Sequence, residues 1–313
     1  MEKGYLLIDG SYFCFYRYYA LMRWWKCKTN GETLDFPIKN EEFVNKFRTT
    51  FIATIKSLYE PIFDYDWNEC KNVKIIVGKD CHRKSIWRMD LFDKYKGNRL
   101  TDDDFAGGPF FQMAYEELFK LGGVDEIVSY DTLEADDCIA LLTHELLKDE
   151  NNRVKIITSD TDYLQLFNDI NCKLIDTENK IHNLKIYNLK KANAVVQVDK
   201  FIYKFCEKEN INPAWQTLTD HALFYKVMHG DKSDNIPQII KPLSKKKYAD
   251  LYEKLQNKEL KNYLREIGKY DEFKRNVKLI NFNKIPNKLR IGFLDKYEHL
   301  CVSDNSGSYV HSN

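Results

Sequence analysis

Tyr5-Leu6-Leu7-Ile8-Asp9-Gly10-Ser11 and Val154-Lys155-Ile156-Ile157-Thr158-Ser159-Asp160 share one design: a short, largely apolar run that stops on an acid inside a turn. Runs of this length, bounded by Gly, Ser and Asp, read as strands covered on both faces. Val73-Lys74-Ile75-Ile76-Val77-Gly78 repeats the pattern with Asp80 two residues on, and Ile127-Val128 is a shorter strand ahead of Glu134, Asp136 and Asp137. The intervening stretches have helical period. Phe43, Phe47, Phe51, Ile55 and Leu58 share a face between Glu41 and Tyr59. His82 to Tyr95 reads as a helix, Glu134 to Leu147 as a stronger one, and a short helix runs through Tyr163-Leu164. Strands alternating with helices predict an α/β fold with a mostly parallel sheet flanked by helices.

Past Cys172–Ile175 and Lys180–Ile186, which read as a hairpin around Glu178-Asn179, the strand signals stop. Phe201–Cys206, Trp215–Met228, Lys245–Leu255 and Leu260–Gly268 are helical in pattern. The expected organisation is an α/β core over 1–190, a helical C-terminal lobe over 191–302, and a disordered tail over 303–313. Leu100–Phe111 reads as a loop, with Asp102-Asp103-Asp104 followed by Gly107-Gly108-Pro109.

Composition narrows the function classes. With 313 residues, 43% hydrophobic and 14% aromatic, the chain can bury a large core. Its 48 Lys+Arg and 47 Asp+Glu leave a net charge of +1, so any polyanion must be met by local segregation of charge. No apolar run approaches the roughly 18 residues of a membrane span, and the N-terminus has no basic and apolar leader. The eight cysteines, at 14, 27, 70, 81, 138, 172, 206 and 301, form no C-x-x-C pair and read as reduced thiols. An intracellular protein is expected.

The placement of acids carries the functional reading. In a parallel sheet the carboxyl ends of the strands share one edge, and ligands bind there. That edge would collect Asp9, Asp80, Glu134, Asp136, Asp137, Asp160 and Asp162. Such a set cannot stay ionised without counter-cations, and oxygen donors without His or Cys suit Mg²⁺ or Mn²⁺ better than zinc. Each acid also has a plain structural reading. Asp131 and Glu134 fit a helix-capping box, the acids after strand four fit turns, and Asp9 precedes a turn. Four acid-bearing strand ends together favour the metal reading.

Two basic groups accompany the acids. Arg83, Lys84, Arg88, Lys94, Lys96 and Arg99 follow Asp80, and Lys96 and Arg99, spaced i, i+3, lie beside Tyr95. A cationic face with an aromatic ring next to a metal pocket suits a phosphodiester, although a solvated helix face would look similar. Later, Gly230-Asp231-Lys232-Ser233-Asp234-Asn235-Ile236-Pro237 leads into Lys241, Lys245, Lys246 and Lys247, a helix-turn-helix pattern suited to a duplex backbone.

Taken in order, Leu7-Ile8-Asp9-Gly10, Tyr95-Lys96-Gly97-Asn98-Arg99, Glu134-Ala135-Asp136-Asp137, Thr158-Ser159-Asp160-Thr161-Asp162 and Gly230–Pro237 resemble the flap-endonuclease and 5′-nuclease superfamily. The chain is most similar to its phage-type ribonuclease H branch, as the stretches Trp87–Asp90, Phe273–Asn276 and Ile285–Asn287 also suggest. The resemblance implies a PIN-like core and a nuclease with two Mg²⁺ ions, for which Mn²⁺ substitutes. Its substrates would be 5′ ends at flaps, nicks or RNA primers on duplex DNA, in replication or repair, in a viral setting and so in a host cytoplasm.

Residue by residue, the resemblance places Asp9, Asp80, Glu134 and Asp136 at the first metal and Asp160, Asp162 and Asp231 at the second, with Asp137 and Asp234 supporting. Asp136 and Asp160 act with Lys96 and Arg99 in catalysis. Arg88, Tyr95, Lys96, Arg99 and the lysines 241, 245, 246 and 247 contact nucleic acid, and 93–120 forms an arch or clamp. Family members often carry glycines in the turn after Asn-Ile-Pro. Gln238–Ser244 has none, which shifts duplex binding there to lysine side chains and leaves a K⁺ site undecided. A monomer is expected, with a sliding clamp or single-strand-binding protein as partners by analogy. A PIN-type ribonuclease and a non-catalytic nucleic-acid-binding relative remain as alternatives. A haloacid-type phosphatase would need an acid where Ser11 stands.

Overall fold

The computed structural model describes residues 3–58, 73–99, 105–168, 183–189, 194–195 and 215–301. The readings on 100–104, Cys172–Ile175, Phe201–Cys206 and the tail lie outside these residues. Among the described residues six strands form one sheet: β1 (Lys3–Asp9), β2 (Val73–Gly78), β3 (Glu126–Val128), β4 (Asn152–Ile157), β5 (Leu184–Asn188) and β6 (Ala194–Val195), in the order β3-β2-β1-β4-β5-β6. The first five run parallel and β6 pairs antiparallel at the edge. The segment read as the second arm of a hairpin is thus a parallel neighbour of β4.

β1 lies between β2 and β4, with Asp9 opposite Gly78 and Ile8 opposite Ile157. The chain leaves β1 in both directions across the sheet, which opens a crevice at the carboxyl ends of these three strands. Both faces of the sheet are covered, which explains why its strands do not alternate. One face carries Leu6, Ile8, Ile75 and Val77 against α1 (Gly10–Lys28) and α2 (Glu41–Ser57), whose Phe43, Phe47, Phe51 and Ile55 are fully buried as their spacing predicts. The helical run α3 (Gly108–Met113), a π turn (Ala114–Leu118) and α4 (Phe119–Leu121) packs on the same side through Phe110, Leu118 and Phe119. The loop expected to Phe111 therefore turns helical at Gly108.

The opposite face carries Tyr5, Leu7, Ile76, Val154 and Ile156 against α5 (Ala135–Leu146). Gly78 lets α5 come close: a Cβ there would stand 2.8 Å from Ile139 and 2.9 Å from the Ala135 carbonyl. α5 begins at Ala135 with Glu134 as N-cap, and the Asp137 carboxylate accepts the Glu134 backbone N–H at 3.2 Å. The capping box is therefore shifted three residues on from Asp131–Glu134, and the three acids crowd the helix's first turn.

The later helices are α6 (Trp215–His229), α7 (Lys245–Gln256), α8 (Leu260–Glu266), α9 (Tyr270–Ile280) and α10 (Asn287–Lys296). Phe224, Met228, Tyr248, Leu251, Leu264 and Leu279 form their shared core, which also takes in Ile86 and Tyr95. Phe282, Ile285, Phe293 and Tyr297, inside the stretch read as the helical lobe, join the core on the α5 face of the sheet. The helix expected over His82–Tyr95 is instead two single 3₁₀ turns, Arg83–Ser85 and Trp87–Asp90, and a run of turns. Most of its backbone hydrogen bonds close single turns, such as Ser85 to His82 and Met89 to Ile86, while the Trp87 N–H donates to the Thr132 carbonyl. Cys14 and Cys138 are buried thiols and Cys27 is exposed, all unpaired. Among the described residues no helix is long and apolar enough to cross a membrane.

Candidate active site

Five acids drawn from all four acid-bearing strand ends line one cleft of about 550 Å³: Asp9, Asp80, Glu134, Asp136 and Asp160, with Lys96 and Arg99 on its wall. A neighbouring cleft of about 530 Å³ is lined by Asp160, Asp162 and Asp231. Asp160 borders both.

The carboxylates are held by hydrogen bonds from their own turns and from neighbouring strand ends. Asp9 caps α1, accepting the Tyr12 N–H at 3.0 Å and the Thr158 hydroxyl at 3.2 Å. Thr158 also accepts the Asp160 N–H at 3.1 Å, tying the ends of β1 and β4 together. Asp80 accepts the Ala135 N–H at 2.8 Å and the Ser11 hydroxyl. Asp160 accepts the Asp162 N–H at 2.9 Å. Thr158 and Ser11 were not singled out in the sequence. Their signal is position alone, because each stands within two residues of a strand-end acid.

Beneath the cleft lies a buried ion-pair network. The Arg88 guanidinium donates to both oxygens of Asp137 at 2.7 Å and to Glu134 at 2.9 Å, and its Nε donates to the Leu279 carbonyl at 2.7 Å. Asp137 also accepts from Trp87 Nε1 at 2.9 Å. The Tyr95 hydroxyl bonds Glu134 at 3.0 Å and Asp234 at 3.1 Å. Lys96 bonds Glu134, and Arg99 pairs with Asp234 at 2.7 Å.

Three expectations change here. Arg88 and Tyr95 are each 2% exposed, so neither reaches a nucleic acid; they orient Glu134, Asp137 and Asp234 instead. Asp137, fully buried, has four donors on its two oxygens and is a structural anchor rather than a free ligand. Lys96 and Arg99 sit in a turn, Lys96 with φ of 54°, because its N–H bonds the Asp234 carbonyl at 2.9 Å and so joins this turn to the one at 230–236. In that second turn Gly230 has φ of +77°, and a Cβ would lie 2.3 Å from the Ile236 carbonyl.

Lys226 was missed by the sequence reading. It pairs with Asp162 and, at 2.8 Å, with Asp231. Nothing in α6 marks it, since a lysine in a helix usually faces water. Of the late lysines, 241 and 246 are exposed, 245 is partly exposed, and 247 is bonded to Asp250 and Tyr263.

The electrostatics divide the acids. Burial, with Asp80 close by, raises Asp9 to about 7. Burial and the neighbouring Glu134 and Asp137 push Asp136 well above the carboxylate range. Asp162 rises to about 7 through burial and Asp160, against the pull of Lys226. Burial also opposes ionisation of Glu134 and Asp231, yet Lys96 and Arg88 hold Glu134 below its usual value, and Lys226 with Ser233 holds Asp231 at about 2.

Among the described residues, two groups of carboxylates have oxygens within 4.8 Å of one another, Glu134/Asp136/Asp137 and Asp162/Asp231/Asp234. Asp137 has four donors and Glu134 three, so in the first group Asp136 keeps the most open oxygens, next to Asp9 and Asp80. Oxygen-only donors with raised pKa values fit hard divalent cations.

A stability effect follows, with its sign set by the raised acids. A buried acid that titrates near 7 rather than 3.8 binds more protons folded than unfolded between those values, so stability falls as pH rises through that window. Glu134 and Asp231, held low, stay ionised throughout it. Chelated protein is expected to lose roughly 2 kcal/mol per raised carboxyl between pH 5.5 and 7. Adding Mg²⁺ should restore most of this at pH 7.5 and little at pH 5.5. Thermal melts in EDTA and in Mg²⁺ at both pH values check it; equal Mg²⁺ stabilisation at both would count against Asp9 and Asp162.

Comparison with known proteins agrees with the fold. A family model described as the 5′-3′ exonuclease, N-terminal resolvase-like domain, matches residues 4–205. A 5′-3′ exonuclease of Mycoplasmopsis pulmonis (strain UAB CTIP) is 26% identical over 246 residues, covering 76% of this chain and 62% of that protein. The chain thus spans less than two thirds of that relative. Ribonuclease H of Enterobacteria phage T4 is 24% identical over 230 residues, covering 72% of this chain and 69% of that one. Among solved structures, bacteriophage T5 flap endonuclease in a pseudo-enzyme–product complex with DNA and metal ions aligns with a TM-score of 0.55 at 14% identity, over 96% of this chain and 99% of the other. T5 5′-exonuclease with bound zinc aligns at 0.56 and 15%, over 96% and 100%. These structures share the parallel sheet and helical C-terminal region described above. With the model match covering more than half of its length, and the strand-end acids gathered at one crevice, this chain belongs to the 5′-3′ exonuclease family.

Proposed function

We propose that the protein hydrolyses phosphodiester bonds at 5′ ends of duplex DNA, at flaps, nicks or RNA primers, using two divalent metal ions, with Mg²⁺ the working metal. The observation that carries this reading is the convergence of Asp9, Asp80, Glu134, Asp136 and Asp160 on one cleft that also presents Lys96 and Arg99. A phosphate needs cations in such a place, and the acids supply positions for them. When bound, a pair of divalent ions supplies Lewis acidity at the phosphate and at an attacking water.

The chain's own groups do the rest. Asp160, bordering both clefts, is placed to serve both ions, with Asp9, Asp80, Glu134 and Asp136 on one side and Asp162 and Asp231 on the other. Asp234, bonded by Tyr95 and Arg99, positions the basic pair. Lys96 and Arg99 neutralise charge that grows on the phosphate oxygens as the bond breaks. Lys241, Lys245 and Lys246 hold the duplex backbone away from the cut, so affinity should fall steeply with salt.

Cleavage of 5′-labelled flap, nicked and RNA-primed duplexes over a Mg²⁺ titration tests the reading. Product from at least one substrate, abolished by EDTA, is expected; binding without cleavage would instead support a non-catalytic relative, and cleavage confined to single-stranded RNA a PIN-type ribonuclease. Lys96→Ala should lower kcat about a hundredfold and leave duplex affinity nearly unchanged. Loss of affinity at constant kcat would make Lys96 a holding residue only.

A further inference from the structure

We infer that the Lys226 ammonium is a built-in counter-cation of the second metal subsite, which a divalent ion must displace in order to bind, so that the two ions bind in a set order, the second more weakly. This rests on the metal-centre reading above. Lys226 reaches from α6 to Asp162 and, at 2.8 Å, to Asp231, with its side chain only 20% exposed and the two acids 11% and 14% exposed. Those acids lie, with Asp234, in a group whose oxygens are within 4.8 Å of one another, so an ion shared by Asp162 and Asp231 would claim the place the ammonium holds.

The two subsites are unequal in charge. Asp162 and Asp231 are paired with Lys226, and Asp234 is paired with Arg99, so every acid of the second group already has a cation. On the first side Glu134 is paired with Lys96 and Arg88, but Asp9, Asp80 and Asp136, among the described residues, accept only from backbone N–H groups and hydroxyls. A first ion therefore meets uncompensated charge, and a second must break an existing partly buried ion pair. Once displaced, the ammonium has a cleft of about 530 Å³ at its side, bordered by Asp160 and Lys232, in which to turn toward a bound phosphate.

Mn²⁺ alone, with no nucleic acid, tests the inference. Binding is counted by the loss of the free-ion EPR signal and by calorimetry. Wild-type protein is expected to bind one ion tightly and one weakly. Lys226→Met should tighten the weaker site by about tenfold or more, since a unit charge beside the ion is removed, while Lys226→Arg should leave it weak. The sign is decisive, because loss of a merely structural ion pair would loosen the site. A second site unchanged or weakened in Lys226→Met overturns the inference and leaves the metal reading standing; no bound ion in either protein ends both. If Lys226→Met does not fold, wild-type protein carrying ¹³Cε-lysine is titrated with Mg²⁺. The resonance missing from Lys226→Arg should move on the second equivalent, and movement on the first, or none, overturns the inference.

Discussion

Asp160→Asn should abolish cleavage while leaving the fold and duplex binding intact. Asp160 is exposed, and the one described hydrogen bond of its side chain is from the Asp162 N–H, which an amide oxygen can still accept. Loss of stability should therefore stay within about 0.5 kcal/mol, as for other surface substitutions. Binding to a flapped duplex in Ca²⁺ should be unchanged or slightly tighter, since one negative charge facing the phosphates is gone. The rate is another matter. Asp160 borders both acidic clefts, so both ions would lose a negative oxygen at once. Removing even an outer partner of a metal ligand costs about 10–100-fold, so loss of a shared ligand should exceed a hundredfold. Single-turnover cleavage in Mg²⁺ next to anisotropy in Ca²⁺ measures the two effects separately. Turnover near the wild-type rate would remove Asp160 from the centre.

Arg88→Met should produce the largest fall in stability of any single change at the site. Its guanidinium, 2% exposed, is bonded to both oxygens of Asp137, to Glu134 and to the Leu279 carbonyl. Methionine fills part of the volume but leaves buried Asp137 without its cation and Glu134 with Lys96 alone, a change that typically costs about 3–5 kcal/mol. Because the Leu279 carbonyl sits at the end of α9, the same change loosens the join between the helical region and the first turn of α5. Arg88→Lys should fall between, keeping the charge but losing the forked geometry. Urea unfolding followed by far-ultraviolet circular dichroism gives the difference. A midpoint close to that of the wild type would show that Asp137 and Glu134 find other partners.

The second expectation turns on a residue that its sequence neighbours do not set apart. Arg88 sits in a basic stretch beside Lys84 and Lys96, and nothing in its neighbours distinguishes a cation that faces phosphate from one that faces a buried acid. The difference lies in the partners that the fold brings up: Trp87, Arg88 and Tyr95 point inward, to Asp137, Glu134 and Asp234. Lys226 is the converse case, an ordinary-looking helix lysine whose partners are 64 and 5 residues away in sequence.

What the sequence determined by itself was the alternation of strands and helices, the parallel sheet, the buried face of α2, and the gathering of acids at one edge. Those follow from local apolar period and from a rule of parallel sheets that puts every strand's carboxyl end on the same side. What only the tertiary structure decided is the state of each charged group once gathered. Asp9 and Asp136 are left without a cation, Glu134 and Asp231 are held ionised by one, and Asp137 is consumed as an anchor. The physical reason is range. Period is a property of neighbours along the chain, whereas ionisation and hydrogen-bond saturation depend on what lies within a few ångströms in space, contributed here by segments far apart in sequence.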